Sequence, residues 1–420
     1  MSFFTIWIGQ AFSLLGSGLV QFVLVWWLTI ETGSATVLAV ATLVAILPQV
    51  VVGPLAGPLV DRLNRRAILI VADGVVALAT LWLIYLYSID AMQVWHVYAA
   101  MLIRGSVGAF HFPTMQASTS LMVPQEHLSR VAGLNQALQG ITSILSPALG
   151  ALLLQIFELR IALAVDVGTA LLAILPLFFI AIPQPPRTTT AVAESGRASF
   201  GQDLRAGLRY VRGWPGLMAI LIMAMLINFL LVPSGSLMPL LVKNELNGDA
   251  GLFATMEALL GVGVIVGGIV LSVWGGFKRR VVTSLVGLIG IGVGVIVVGL
   301  TPASAAWLAV AGMFVLGAMQ SLTNGPLFAV LQTVVAPDMQ GRVMSLIGSL
   351  SAAMTPLSLI VAGPVADALG VRVWYIVGGV ACTLMGVAGF FIPAVINVEH
   401  NHVQTATPST VVDERVVEMT

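Results

Sequence analysis

Six side chains able to carry or pair charge stand in otherwise apolar stretches: Asp73, Arg104, His111, Asp166, Glu257 and Asp367. A charge at membrane depth is costly unless it has a partner or meets water, so such residues mark proton or ion routes. Arg104, Gly108 and His111 follow one another at i, i+4 and i+7, on one face of a helix. Arg104 lies about 16 Å in from the outer end of its helix, near the bilayer midplane. Two roles are open to it, a functional cation or an arginine held against a helix carbonyl or Asp166. His111 can titrate near neutral pH or stay neutral, bonded to a neighbouring helix. An embedded carboxylate that gains and loses a proton is how a carrier is driven by a proton gradient. Glu257, with no cation near it in sequence, is the first choice for that role and Asp166 the second. Glu257 can equally point to the outer headgroups. Asp73 is expected beside a basic loop and Asp367 at the outer interface.

Other chemistries find no support. No glycine-rich phosphate loop suits ATP-driven transport, and the histidines lie at no metal-ligand spacing with acids on one helix. A nucleophile elbow and a paired-carboxylate hydrolase arrangement are also absent, so an enzyme is not expected. Neither a cofactor nor an obligate protein partner is called for. With a net charge of zero, the chain lacks the basic patch that nucleic acid requires.

The elements that must hold these residues follow from composition. Of 420 residues, 58 % are hydrophobic and 9 % charged, where a soluble domain carries about 25 % charged. Mean hydropathy is +1.03. The lone cysteine, Cys382, forms no disulfide framework. Residues Phe3–Ile30 have no basic flank or cleavage site, and read as a first spanning helix rather than a signal peptide. A spanning helix needs about 20 mostly apolar residues. That ruler predicts six spans near 4–30, 36–60, 67–88, 91–113, 129–157 and 161–182. Six more lie near 214–242, 251–275, 281–300, 303–335, 341–366 and 371–396. The expected class is an all-α integral membrane protein with bundles at 1–182 and 214–396. Between them, 183–213 reads as a flexible start and a short basic amphipathic helix over Gln202–Arg212. The tail 397–420 reads as disordered.

The chain also repeats itself at about 213 residues: Pro113 is echoed by Pro326, Pro124 by Pro337, Arg65-Arg66 by Arg279-Arg280 and Arg130 by Arg342. Two like halves in one orientation are the mark of a transporter whose bundles rock about a site near the midplane. Placing the N-terminus in the cytoplasm puts fourteen Lys and Arg residues in inner loops and three in outer loops. Both termini are therefore expected in the cytoplasm.

Gly53 and Gly57 share a helix face, Asp61 follows at the same spacing, and Arg62, Arg65 and Arg66 come next. The spacing suits a charge latch between helices at the cytoplasmic edge, with Asp73 added; a plain basic loop also explains the arginines. Here the chain resembles the major facilitator superfamily, whose signature in this loop is a glycine, an aspartate four residues on, then spaced basic residues. The echo Gly275–Arg280 keeps the charges and lacks the aspartate. Arg104-Gly-Ser-Val-Gly108 is similar to a second family motif, associated with proton coupling, with Val107 where a polar residue is usual.

Ser146, Pro147 and Gly150 look like a degraded antiporter motif of drug:proton exchangers, with Ser146 and Ala151 at two glycine positions. The resemblance is to the bacterial drug-efflux branch that includes macrolide and siderophore exporters. It implies two six-helix bundles, a small-molecule substrate and protons as the coupled ion. Gln21, Gln49, Asn228 and Ser234 are candidate cavity residues, and Asn324 is expected to face His111 across the pseudo-two-fold axis. Apolar neighbours suit an amphiphilic solute better than a sugar. A proton-coupled importer of a small metabolite uses the same fold and is the alternative; a membrane sensor or enzyme is more remote.

Overall fold

In lipid every backbone N–H and C=O must be satisfied within the chain, which long helices achieve. The computed structural model describes residues 2–180, 182–184, 200–337 and 339–399, without the side chains at 2, 54, 55, 57, 58, 61, 62, 120, 129 and 200–204. The N-terminal half is built from α1 (Ser2–Thr32), α2 (Ala35–Arg62), α3 (Arg65–Ser88), α4 (Val94–Met122), α5 (Leu128–Ile156) and α6 (Leu159–Phe179). After α7 (Phe200–Arg212), the C-terminal half holds α8 (Pro215–Ser236), the single turn α9 (Met238–Leu240) and α10 (Ala250–Trp274). It continues through α11 (Arg280–Leu300), α12 (Ala306–Val334), α13 (Gln340–Leu369), α14 (Arg372–Phe391) and the short α15 (Pro393–Ile396). Twelve of these are long enough to span a bilayer, in two six-helix bundles. The stretches 185–199 and 400–420, expected to be flexible, lie outside the described residues.

Local signals set the helix ends. The Ser34 side chain caps α2 through Val37 N, Asn64 caps α3 through Ala67 N, and Asp249 caps α10 through Leu252 N. Gly275, at φ +77°, ends α10 in the left-handed conformation open to glycine. Pro113 and Pro326 lie inside α4 and α12, which are 29 residues each. A proline removes one backbone bond without ending a membrane helix, and α4 continues past Pro113 for nine residues, the few further turns that an internal proline allows. The 213-residue repeat is therefore structural: α4 and α12 match in length and in proline position.

Small residues set the tightest packing. A Cβ on Gly263, Gly267 or Gly317 would collide with the facing backbone of α12 or α10. The amphipathic α7 docks on the C-terminal half, with Val211 fully buried, Gly207 against the Arg342 carbonyl and Arg205, Arg209 and Arg212 exposed.

The two halves meet unequally along their length. At the face bearing Lys243 and Asp367, here the far face, one apolar core contains residues of both halves, with Phe22 and Trp26 of α1 stacked on Phe253 of α10. Toward the opposite, basic face each half has its own core, around Ile6, Leu69 and Leu177 in one and Val211, Leu217 and Val343 in the other. The molecule is pinned at the far face and parted toward the basic face.

Candidate functional site

Where the halves part lies a cavity of about 1040 Å³, walled by α1 to α5 on one side and by α10 and Gln320 of α12 on the other. Two polar clusters, two helical turns apart, stiffen the N-terminal wall. In the deeper one, Arg104 NH1 lies 2.6 Å from Asp166 Oδ2 and donates to Thr80 Oγ1 at 3.0 Å, while NH2 donates to the Ser17 carbonyl at 3.2 Å. Thr80 and Ser17 hydroxyls donate to the two Asp166 oxygens at 2.8 and 3.2 Å. Asp166 is 1 % exposed. Of the two roles open to Arg104, this state has the held one: the arginine is neutralised by Asp166, and four helices are tied together through it.

The second cluster corrects the expectation for Asp73. Its side chain is buried in the cavity wall, accepting from Gln10 Nε2 at 2.8 Å and Ser13 Oγ at 3.0 Å. His111 Nε2 lies 3.6 Å from Asp73 Oδ1 and 2.7 Å from Gln10 Oε1. Eight residues of helix separate Asp73 from Arg65, about 12 Å of rise, which takes it out of the basic loop. Nothing in sequence spacing links it to Gln10 or His111, because the contact crosses three helices.

Glu257 enters the cavity from α10, half-buried beside Leu260, Gly261 and Val264. Among the described residues it makes no hydrogen bond or ion pair. Gln21, Gln49, Gly108, Ser146 and Pro147 also line the cavity. Ser146 Oγ donates to the Leu15 carbonyl at 3.1 Å, and a Cβ on Gly150 would press on Phe22, so the kink region seats α5 against α1.

Three cavity expectations are not met. Asn228 donates to the Ala224 carbonyl of its own helix, and Ser234 is buried where Tyr375 reaches its carbonyl. Asn324 is exposed outside the lining; Gln320, one turn earlier on α12, takes the place facing the N-terminal half. Glycine placement also differs. Gly53 faces open space, whereas a Cβ at Gly105 would collide with the Ala45 carbonyl, making Gly105 the contact glycine between α4 and α2. The side chains at 57, 61 and 62 lie outside the described residues. Of the loop arginines, Arg65 is buried and donates to the Ala117 carbonyl, and Arg66 to that of Phe178.

Two contacts across the far face have no counterpart in the sequence reading. Asp367 accepts from Ser34 Oγ (3.2 Å), Ala35 N (2.7 Å), Thr36 N (3.0 Å) and Thr36 Oγ1 (2.6 Å), at the N-terminus of α2. Lys243 Nζ donates to the Thr29 and Ile30 carbonyls at 2.9 and 3.0 Å, at the C-terminus of α1. Each charge sits at the helix end whose dipole it complements.

Two pseudo-repeated six-helix bundles around a cavity with embedded charges define a membrane carrier of solutes. The chain belongs to the Major Facilitator Superfamily, whose model matches residues 6–358. It is 34 % identical over 379 residues, 90 % of this chain and 93 % of the other, to "Macrolide efflux protein A" of Streptococcus pyogenes. To "Multidrug efflux pump Tap" of Mycolicibacterium fortuitum it is 26 % identical, over 90 % of this chain and 92 % of that one. Among solved structures, a bacterial homologue of the iron transporter ferroportin in its inward-facing state superposes with a TM-score of 0.70. That match has 14 % identity and covers 95 % of this chain and 98 % of the other. The protein is thus a multi-span membrane transporter and not an enzyme.

Proposed function

We propose that the chain exports a hydrophobic or amphiphilic solute, of the drug, macrolide or siderophore type, in exchange for protons by alternating access. The observation that carries this reading is the cavity itself. It is large, walled by both halves, closed at the far face, and holds Glu257, a carboxylate with no hydrogen bond or ion pair among the described residues. The names of the relatives support an efflux role. The bias of Lys and Arg supports a cytoplasmic basic face with both termini there, in a bacterial inner membrane. On this reading the structure is the inward-open state, and protons entering from outside neutralise Glu257. Asp166 is the weaker choice, since Arg104 already holds it. The latch of Gly53, Gly57, Asp61, Arg62, Arg65 and Arg66 closes the cytoplasmic side in the opposite state. Substrate and proton act through their different affinities for the two states. A single chain suffices for this cycle.

Import of a small metabolite is the second reading, favoured by the row of Gln21, Gln49, Gln116, Asn135 and Gln139 in the wall. Substrate-triggered proton movement in proteoliposomes, with an interior pH dye and a panel of macrolides, siderophores and small metabolites, separates the two. Proton flow coupled to uphill macrolide or siderophore movement is expected; a response to small polar metabolites alone overturns export. In the same assay Glu257→Gln is expected to lose gradient-driven flux while keeping substrate exchange at equal pH. Full gradient-driven flux in that variant removes Glu257 as the coupling group.

A further inference from the structure

The Asp73 cluster has a feature that the Arg104 cluster lacks. Arg104 and Asp166 form a fixed neutral pair, whereas the cation facing Asp73 is a histidine, charged only when it binds a proton. The hydrogen bonds fix how the groups are connected. Asp73 accepts from the Gln10 amide, so Gln10 presents its oxygen to His111, and His111 Nε2 carries the hydrogen in that bond. The ring's Nδ1 has no hydrogen bond among the described residues, and His111 lines the cavity, which gives water access to it.

The neighbours leave the charge of this cluster to the proton alone. On α1 the facing groups are Gln10 and Ser13, and on α2 Gln49; none titrates. On α4 the other charge is Arg104, two turns away and bound to Asp166 of α6. Across the cavity, α10 presents Glu257, and α5 presents Asn135 and Gln139. With Asp73 ionised and His111 neutral, the wall holds an uncompensated negative charge in a poorly hydrated setting, which is costly. One added proton makes the pair neutral.

We propose that Asp73, Gln10 and His111 form a proton-binding site in the cavity wall, distinct from Glu257 and from the Arg104–Asp166 pair, that binds and releases one proton. Nδ1 of His111 takes the proton from cavity water, giving an imidazolium 3.6 Å from the carboxylate; release returns it to the same water. Gln10 holds the two in register. The use of this site in transport rests on the proton-driven reading above, but its existence does not.

Nitrogen-15 histidine NMR on the full chain in nanodiscs tests it, with His111→Asn assigning the signal. The His111 resonance is expected to titrate in one step between about pH 5 and 8. Asp73→Asn is expected to move its midpoint by about one pH unit or more, and Glu257→Gln to leave it in place. If Asp73→Asn does not fold, Gln10→Ala, which removes the bridge and keeps both His111 and Asp73, is expected to move the midpoint as well. A His111 signal that does not titrate in this window, or whose midpoint ignores these substitutions, overturns the site. Because no transport is measured, the two readings fail separately. A titrating His111 in a protein without proton-coupled flux sinks only the antiport reading, and coupled flux with a silent His111 sinks only this one.

Discussion

Arg104 and Asp166 show why a buried charge is better judged by its partners than by its depth. Each is nearly sealed from solvent, with side-chain exposures of 10 % and 1 %. Removing one partner strands the other in a medium that cannot solvate it, at a cost of about 3–5 kcal/mol. Arg104→Gln and Asp166→Asn are each expected to lower the thermal unfolding midpoint of the detergent-purified protein sharply. The double variant is expected to lose less than the sum of the two, since it leaves no orphaned charge. Strict additivity in that cycle would mean that the pair is not coupled. At this scale the sequence was partly legible. Arg104, His111, Asp166 and Glu257 stood out because charge is rare in lipid-depth helices, and all but Asp166 line the cavity itself. Chain proximity assigns Asp73 to the basic loop, whereas its partners sit on α1 and α4, 63 and 38 residues away. Asn228 follows from polarity and Asn324 from the repeat, and neither says which way a side chain turns.

The helices were legible as elements because twenty apolar residues in lipid have few other conformations, while their mutual contacts were not. The far-face closure is the clearest case. Asp367 and Ser34 are 333 residues apart, and only the folded chain brings the carboxylate onto the first turn of α2. Four hydrogen bonds to one carboxylate, and a lysine on the last carbonyls of α1, tie both ends of the α1–α2 turn to the C-terminal half. These contacts must break before the far face opens, so they set part of the balance between states. Asp367→Asn and Lys243→Met are each expected to shift that balance toward far-face opening. The readout is the rate at which an impermeant maleimide added on the far side labels a cysteine placed at Gln21, a cavity residue. A rise of roughly two- to fivefold is expected for contacts in partly wet surroundings. Unchanged labelling in both variants would make these bonds bystanders. The native Cys382 is buried and does not compete for the reagent.

For the whole molecule, the repeat fixes what kind of motion is available. Each half is internally tight, with glycine-lined contacts within the C-terminal half and the Arg104–Asp166 knot within the N-terminal half. Between the halves, packing is continuous at the far face, reaches the cavity where Gly261 of α10 meets Ser143 and Ile144 of α5, and gives way to separate cores toward the basic face. Two stiff bodies joined at one end rock as units. If that is the transport cycle, a link across the far face alone should stop it without touching the cavity. The Thr36 hydroxyl and an Asp367 oxygen, 2.6 Å apart, mark a position for such a link between α2 and α13. With cysteines at both sites, a short reducible bis-thiosulfonate linker is expected to abolish uphill solute movement, and reduction to restore it. A cysteine at Gln139, on the cavity wall, should still react with a reagent added from the basic face, because the linked state is the one open on that side. Undiminished transport in the linked protein would exclude far-face opening from the cycle. Loss of labelling at Gln139 would mean that the link distorts the bundles rather than holding them.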